Sequence, residues 1–347
     1  MTIRRKTFLV YLILLLALFP LFCWGLLSGS VRYSFDDLYR GFQFLFSGEG
    51  DSVVSLVIFQ IRLPRLLLAL CLGAALAISG AAFQGFFRNS LADPYVIGAS
   101  SGAALGAGLA MTLEIPALGF FAAGGLSPVT LAAFAGSLLA VFIAFAVSRA
   151  AGNPPPAAAL LLAGASVGAL FSALLSFVLV VKDKNLNRVY YWLLGSLGGA
   201  SWASLFPLLP LMLVGTLVIF LQSRPLDLLL QGDEAAASLG LDVARTRLIV
   251  ALAASLTAAA AVSSAGIIGF VGLVAPHAAR IVLGPVHRRM LGASALMGAI
   301  LVLAADTLAR NISPPLEIPV GIITSLAGAP FFLYLLARMG RRMGQFL

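Results

Sequence analysis

Long apolar runs, each closed by prolines, glycines or charges, divide this chain into ten segments. They lie near residues 7–28, 53–86, 95–113, 128–148, 157–181, 201–222, 245–265, 267–283, 291–310 and 318–338. A helix needs about 20 apolar residues to cross a ~30 Å hydrocarbon core, so the pattern predicts an all-α polytopic membrane protein. No stretch is polar enough to form a second domain, and residues 1–347 are expected to make one membrane unit. The second to fifth and the seventh to tenth spans form two groups of four running in opposite directions, the layout of an inverted repeat. Only Ser264–Gly266 separates the seventh span from the eighth.

Charge orients the pattern. If the N-terminus is cytoplasmic and the spans alternate, 14 of the 22 Lys and Arg residues fall inside and 8 outside, as the positive-inside rule requires. Both termini are then cytoplasmic. Arg4-Arg5-Lys6 followed by an apolar run to Leu27 reads as a first membrane helix, because the run is too long for a signal peptide and has no small-x-small cleavage site.

Composition removes other function classes. Hydrophobic residues make up 61% of the chain and charged residues 10%, against roughly 25% charged in soluble domains. The net charge of +9 is scattered over short loops, which does not make the basic face that nucleic acid needs. Cys23 and Cys71 lie in apolar runs and suit packing, not a disulfide or a metal site. Two histidines and no clustered acids supply no catalytic set, and no metal site or cofactor is expected in the chain itself.

Several positions carry more than packing. In the fifth span Ser166, Ala169, Ser172, Ala173 and Ser176 fall on one broad small-residue stripe, suited either to helix packing or to a pathway wall. The longest inside connection, 223–245, contains Gly232-Asp-Glu-Ala-Ala-Ala-Ser-Leu-Gly240. Asp233 and Glu234 suit a helix start and Gly240 its end, which predicts a short helix between the two glycines. Arg62 and Arg65 flank Pro64 at an outer helix end, where they can snorkel to headgroups or receive acidic residues. Asp306 and Arg310, four apart on one helix, can pair, and Glu317 follows at the interface. His277 beside Pro276 has no second ligand at usable spacing and reads as structural.

Several blocks, in order, resemble one family. They are Ile61-Arg-Leu-Pro-Arg65, Gly73–Gly80 with Gln84, Arg88-Asn-Ser-Leu-Ala-Asp-Pro94, Leu160–Gly164, Trp192–Ser196, Gly266–Arg280, Ala305-Asp306 with Arg310, and Glu317–Gly321 running to Gly328–Phe331. As a set they are similar to the FecCD-type permeases of ABC importers for iron-siderophores, haem and vitamin B12. The resemblance departs at Ser90, where the family usually has proline, and at the Pro154–Pro156 run.

That resemblance implies a type II importer permease fold working as a homodimer in the bacterial inner membrane. The partners would be two cytoplasmic ATPases, which hold the ATP and Mg, and a periplasmic binding protein. By analogy Arg62, Arg65 and Arg310 dock the binding protein, and Gly232, Glu234, Ala237, Leu239 and Gly240 contact the ATPase. Ser166, Ala169, Ser172 and Ser176 would then line the pathway, and Asn89, Leu91, Ala157 and Ala158 close its cytoplasmic end. The main rival is an ion-coupled secondary transporter, with Asp306 its best candidate for a coupling acid. The cargo is not legible in the sequence.

Overall fold

A computed structural model describes residues 3–47, 50–113, 127–152, 156–182 and 186–343 of the chain. Pro154, Pro155 and Lys184 lie outside the described residues, as do the side chains of Arg338, Arg341 and Arg342.

The described residues form an almost wholly helical bundle. Its elements are α1 (Ile3–Leu27), α2 (Phe35–Ser47), α3 (Ser52–Phe86), α4 (Ala99–Leu113), α5 (Pro128–Ser148), α6 (Ala157–Val181) and α7 (Leu186–Leu193). After them come α8 (Trp202–Leu221), α9 (Ser223–Leu229), α10 (Asp233–Ser238), α11 (Val243–Ala265), α12 (Val271–Leu283), α13 (His287–Asn311) and α14 (Val320–Met343). Seven of these are long and apolar enough to cross a membrane: α1, α3, α5, α6, α8, α11 and α13. Three shorter apolar helices, α4, α12 and the apolar part of α14, stand at the other three expected spans.

The layout follows from where small residues let backbones meet. α3 and α11 are the most enclosed of the long helices, and the others wrap around them. A Cβ on Gly73 of α3 would collide with the carbonyl of Gly298 in α13, and one on Gly298 with the carbonyl of Gly73. Gly102 of α4 and Gly136 of α5 exclude side chains from each other in the same way. Membrane helices associate by such close packing because lipid offers no hydrophobic drive between them.

The two groups of four helices pack reciprocally. α3, first of its group, lies against α12 and α13, the second and third of the other group. α11 lies against α4 and α5, their counterparts, and α3 and α11 touch each other.

The second helix of each group begins later than the hydropathy pattern predicts. α4 starts at Ala99, not near 95, and α12 at Val271, not near 267. In the first case Asp93 caps a turn through the Tyr95 N–H (2.8 Å) ahead of Gly98, whose φ is +87°. In the second, Gly266 and Phe270 both take positive φ, at +75° and +67°. At 1.5 Å per residue, α12's 13 residues extend only about 20 Å. Each group thus contains one short helix that begins inside the bundle, and ahead of α12 the Ala265 and Ile268 carbonyls accept from the Ser196 N–H (2.7 Å) and the Tyr95 hydroxyl (3.4 Å).

Two elements were not foreseen. Ser34 and Asp37 form a reciprocal cap, Asp37 N–H to Ser34 Oγ at 3.2 Å and Ser34 N–H to Asp37 Oδ2 at 2.8 Å, and this starts α2. The segment expected to be an outer loop after Lys182 becomes α7, with Tyr190 and Tyr191 exposed.

Candidate functional site

The chemistry of this bundle is concentrated at its two ends. At one end the first half of α3, the end of α1 and the end of α13 converge on three arginines. Arg65 donates from Nε to Asp306 Oδ1 at 2.9 Å and from Nη1 to Glu317 Oε2 at 2.8 Å. Arg310 lies 3.1 Å from the other oxygen of Asp306, and donates to the carbonyls of Ser28 (3.2 Å) and Gly25 (3.1 Å). Arg62 donates to the carbonyls of Leu26 (2.9 Å) and Val31, and stacks over the Tyr33 ring at 4.8 Å. The expected Asp306–Arg310 pair is present, but Asp306 holds Arg65 as well.

This corrects the picture of free helix-end arginines. Arg62, Arg65 and Arg310 are only 5%, 6% and 5% exposed, and Asp306 is fully buried. None of the three snorkels. A buried guanidinium needs partners, and the end of α1 supplies the carbonyls that its helix leaves unbonded. Glu317 is the accessible member, with 45% of its side chain exposed. Three guanidiniums face two carboxylates, so the cluster keeps one positive charge in excess, centred on Arg62, whose hydrogen-bond partners are both neutral.

At the opposite end the connection after α8 folds into α9 and α10. Gly232 (φ +109°) precedes α10 and Gly240 (φ +85°) follows it, so the predicted short helix is present. Ala236 is its buried foot, while Glu234, Ala237, Leu239 and Gly240 are exposed and Gly232 is half-buried. Leu239, which follows the last residue of α10, is a large apolar side chain left 66% exposed.

The charged groups that seat α10 were not legible in the sequence. Asp233 accepts from Arg247 of α11 at 2.9 Å and lies 3.7 Å from Arg88, just past α3. Arg247 also sits over the Phe86 ring at 5.6 Å. α9 is held by Asp227, whose Oδ1 accepts the His287 N–H at 2.8 Å and lies 2.7 Å from its Nδ1. The Arg280 guanidinium donates to Gln84 Oε1 at 2.9 Å, tying α12 to α3 just above this platform. The exposed helix is therefore wired to the ends of α3, α11 and α13.

Between the ends, α6 turns Ser166, Ala169, Ser172, Ala173 and Ser176 outward, while Leu160, Ala163, Val167, Phe171 and Leu175 pack inward. The small-residue stripe is an uncovered face of the chain. Asn89 and Leu91 are exposed in the turn after α3, closed by the Leu91 N–H on Asn89 Oδ1 at 2.9 Å. Ala157 is half-buried and Ala158 exposed at the start of α6.

The profile of the FecCD transport family matches residues 13–338. The chain belongs to the FecCD transport family. As a FecCD permease it is the membrane subunit of an ABC transporter and not an enzyme. It is 48% identical to the cobalamin import system permease protein BtuC of Halobacterium salinarum, over 81% of this chain and 73% of that protein. It is 42% identical to the hemin transport system permease protein HmuU of Yersinia pestis, over 87% and 89% of the two chains. Among solved structures it is similar to an inward-facing metal-chelate type ABC transporter, with a TM-score of 0.79 and 31% identity over 96% of this FecCD chain and 99% of that one.

Proposed function

We propose that this FecCD permease is the membrane half of an ATP-driven importer that carries a metal chelate (ferric siderophore, haem or cobalamin) into the cytoplasm. The observation that carries the reading is the pairing of two unlike ends on one bundle: a buried basic cluster opposite an exposed, apolar-tipped short helix. The cargo class rests on the relatives, whose names cite cobalamin and hemin.

In this reading two copies associate, and the outward stripe Ser166, Ala169, Ser172 and Ser176 of each lines the pathway. Small, weakly polar walls suit a large chelate that must not be held tightly. Asn89 and Leu91 in one wall and Ala157 and Ala158 in the other form the cytoplasmic closure. α10 enters a cleft on each of two cytoplasmic ATPases, with Glu234, Ala237, Leu239 and Gly240 as contacts. ATP and Mg belong to those ATPases. Movement of α10 reaches the gate through the Asp233–Arg88 contact, because Arg88 immediately precedes Asn89.

A periplasmic binding protein docks on the arginine end. Arg62, Arg65 and Arg310 are largely enclosed, so an acidic partner is drawn by their excess charge and reaches Arg65 by taking the place of Glu317. Such complementarity sets orientation and encounter rate. Asp306 does not suit ion coupling, because two arginines hold it and charge neutralisation would leave Arg310 buried without a carboxylate and Arg65 with Glu317 alone.

Co-purification with the ATPases from the same operon, followed by uptake of labelled haem, cobalamin and a ferric siderophore into proteoliposomes, tests the reading. ATP-dependent uptake of one cargo supports it; gradient-driven uptake without ATP overturns it.

A further inference from the structure

We propose that a groove between α5 and α11 binds one acyl chain of an anionic phospholipid from the leaflet on the α10 side, with its phosphate between Arg149 and Arg245.

The groove has a volume of about 560 Å³. Leu138, Val141, Phe142 and Phe145 of α5 form one wall, and Leu248 and Leu252 of α11 the other. Its one uncharged polar lining residue, Ser255, spends its hydroxyl on the Ala251 carbonyl at 2.6 Å. The interior therefore offers nothing to a polar solute. From Leu138 to Arg149 the wall runs about 16 Å at helical rise, half of a ~30 Å hydrocarbon core and hence one leaflet deep. Phe142 and Leu252 remain exposed on its rim, so it opens sideways to the bilayer and not to water.

Arg149 closes the groove at the α10 end. Arg245, in the first turn of α11, stands three and seven residues before the lining residues Leu248 and Leu252 and so on the same face of that helix. Both arginines are exposed, and neither guanidinium has an ion-pair or hydrogen-bond partner among the described residues. The nearby Asp242 carboxylate already accepts the Arg245 backbone N–H at 2.9 Å as the cap of α11. Two free cations at the interfacial mouth of a leaflet-deep apolar slot match the chemistry of an anionic lipid, a phosphate above an acyl chain. The inference rests on the chain spanning a membrane, not on its cargo.

Native mass spectrometry of the full-length permease tests it, with phosphatidylglycerol and phosphatidylcholine of identical acyl chains supplied at equal concentration. The wild type should retain phosphatidylglycerol in preference by on the order of tenfold. Arg149→Gln with Arg245→Gln should bring the ratio close to one, while Arg188→Gln at the opposite end leaves it unchanged. Ala146→Trp, which fills the groove but keeps both arginines, should also remove the preference; attraction by surface charge alone would survive it. Equal retention of the two lipids by the wild type overturns the site. So does a preference that persists in either the double variant or Ala146→Trp.

Discussion

Arg65 and Asp306 stand 241 positions apart in the chain and meet at 2.9 Å, one 6% exposed and the other fully buried. Their contact joins the first helix of one four-helix group to the third helix of the other. Arg310 shares the same carboxylate.

Removing the shared carboxylate should therefore be costly. Asp306→Ala leaves the buried Arg310 guanidinium with no anion and the buried Arg65 with Glu317 alone, for a loss of about 3–5 kcal/mol. Glu317→Ala removes an ion pair whose acid is half exposed and should cost no more than about 1 kcal/mol. Thermal unfolding of the two variants in detergent should separate them clearly, and equal midpoints would show that Asp306 does not organise this end.

The same Glu317→Ala variant frees the Nη1 of Arg65, leaves its bond to Asp306 in place, and raises the net charge of the cluster from one to two. Association with an acidic binding protein should become faster and more salt-sensitive. Arg62→Glu should act in the opposite direction, slowing association and reducing its salt dependence. Surface plasmon resonance at two ionic strengths measures both, and unchanged rates in both variants would remove the docking role.

At the other end, Leu239→Glu should leave the permease folded and abolish co-purification with its ATPase, since the leucine is 66% exposed and contributes little to the fold. Asp233→Ala should instead weaken the complex partially, by letting α10 swing away from Arg247 and Arg88. A Cβ on Gly240 has nothing within 4 Å, so Gly240→Ala meets no steric obstacle there. Its cost comes from the positive φ alone, roughly 1–2 kcal/mol, and it should uncouple ATP hydrolysis from transport. Normal coupling would exclude this loop as the transmitting element.

Close helix crossings give a packing test. Gly73→Val drives a side chain into the Gly298 backbone and should cost at least the roughly 1–3 kcal/mol of an overpacked core, with loss of monodisperse protein on size exclusion. Gly199→Ala, with open space around it, should behave as wild type.

Hydropathy made the bundle and its candidate spans legible, because apolar length alone decides what can cross lipid. α10 was legible too, from two glycines and two acids at helix-end spacing. The late starts of α4 and α12 were not, since Gly98 and Phe270 sit in sequence as apolar as the helices they precede. Ser34-x-x-Asp37 carried a capping signal for α2 that hydropathy overlooks. Distant charge pairs such as Arg247–Asp233 and His287–Asp227 leave no mark on periodicity, because they depend on which helix ends meet. For the same reason Arg62 and Arg310 read as exposed in sequence: the carbonyls that enclose them come from α1.

The most direct measurement of the central claim is the ATPase rate of the permease with its ATPase partner in lipid nanodiscs, with and without the binding protein loaded with haem, cobalamin or a ferric siderophore. Importer function predicts stimulation by one loaded binding protein, lost in Arg62→Glu and in Leu239→Glu. A stable complex whose ATPase rate ignores every loaded binding protein would contradict it.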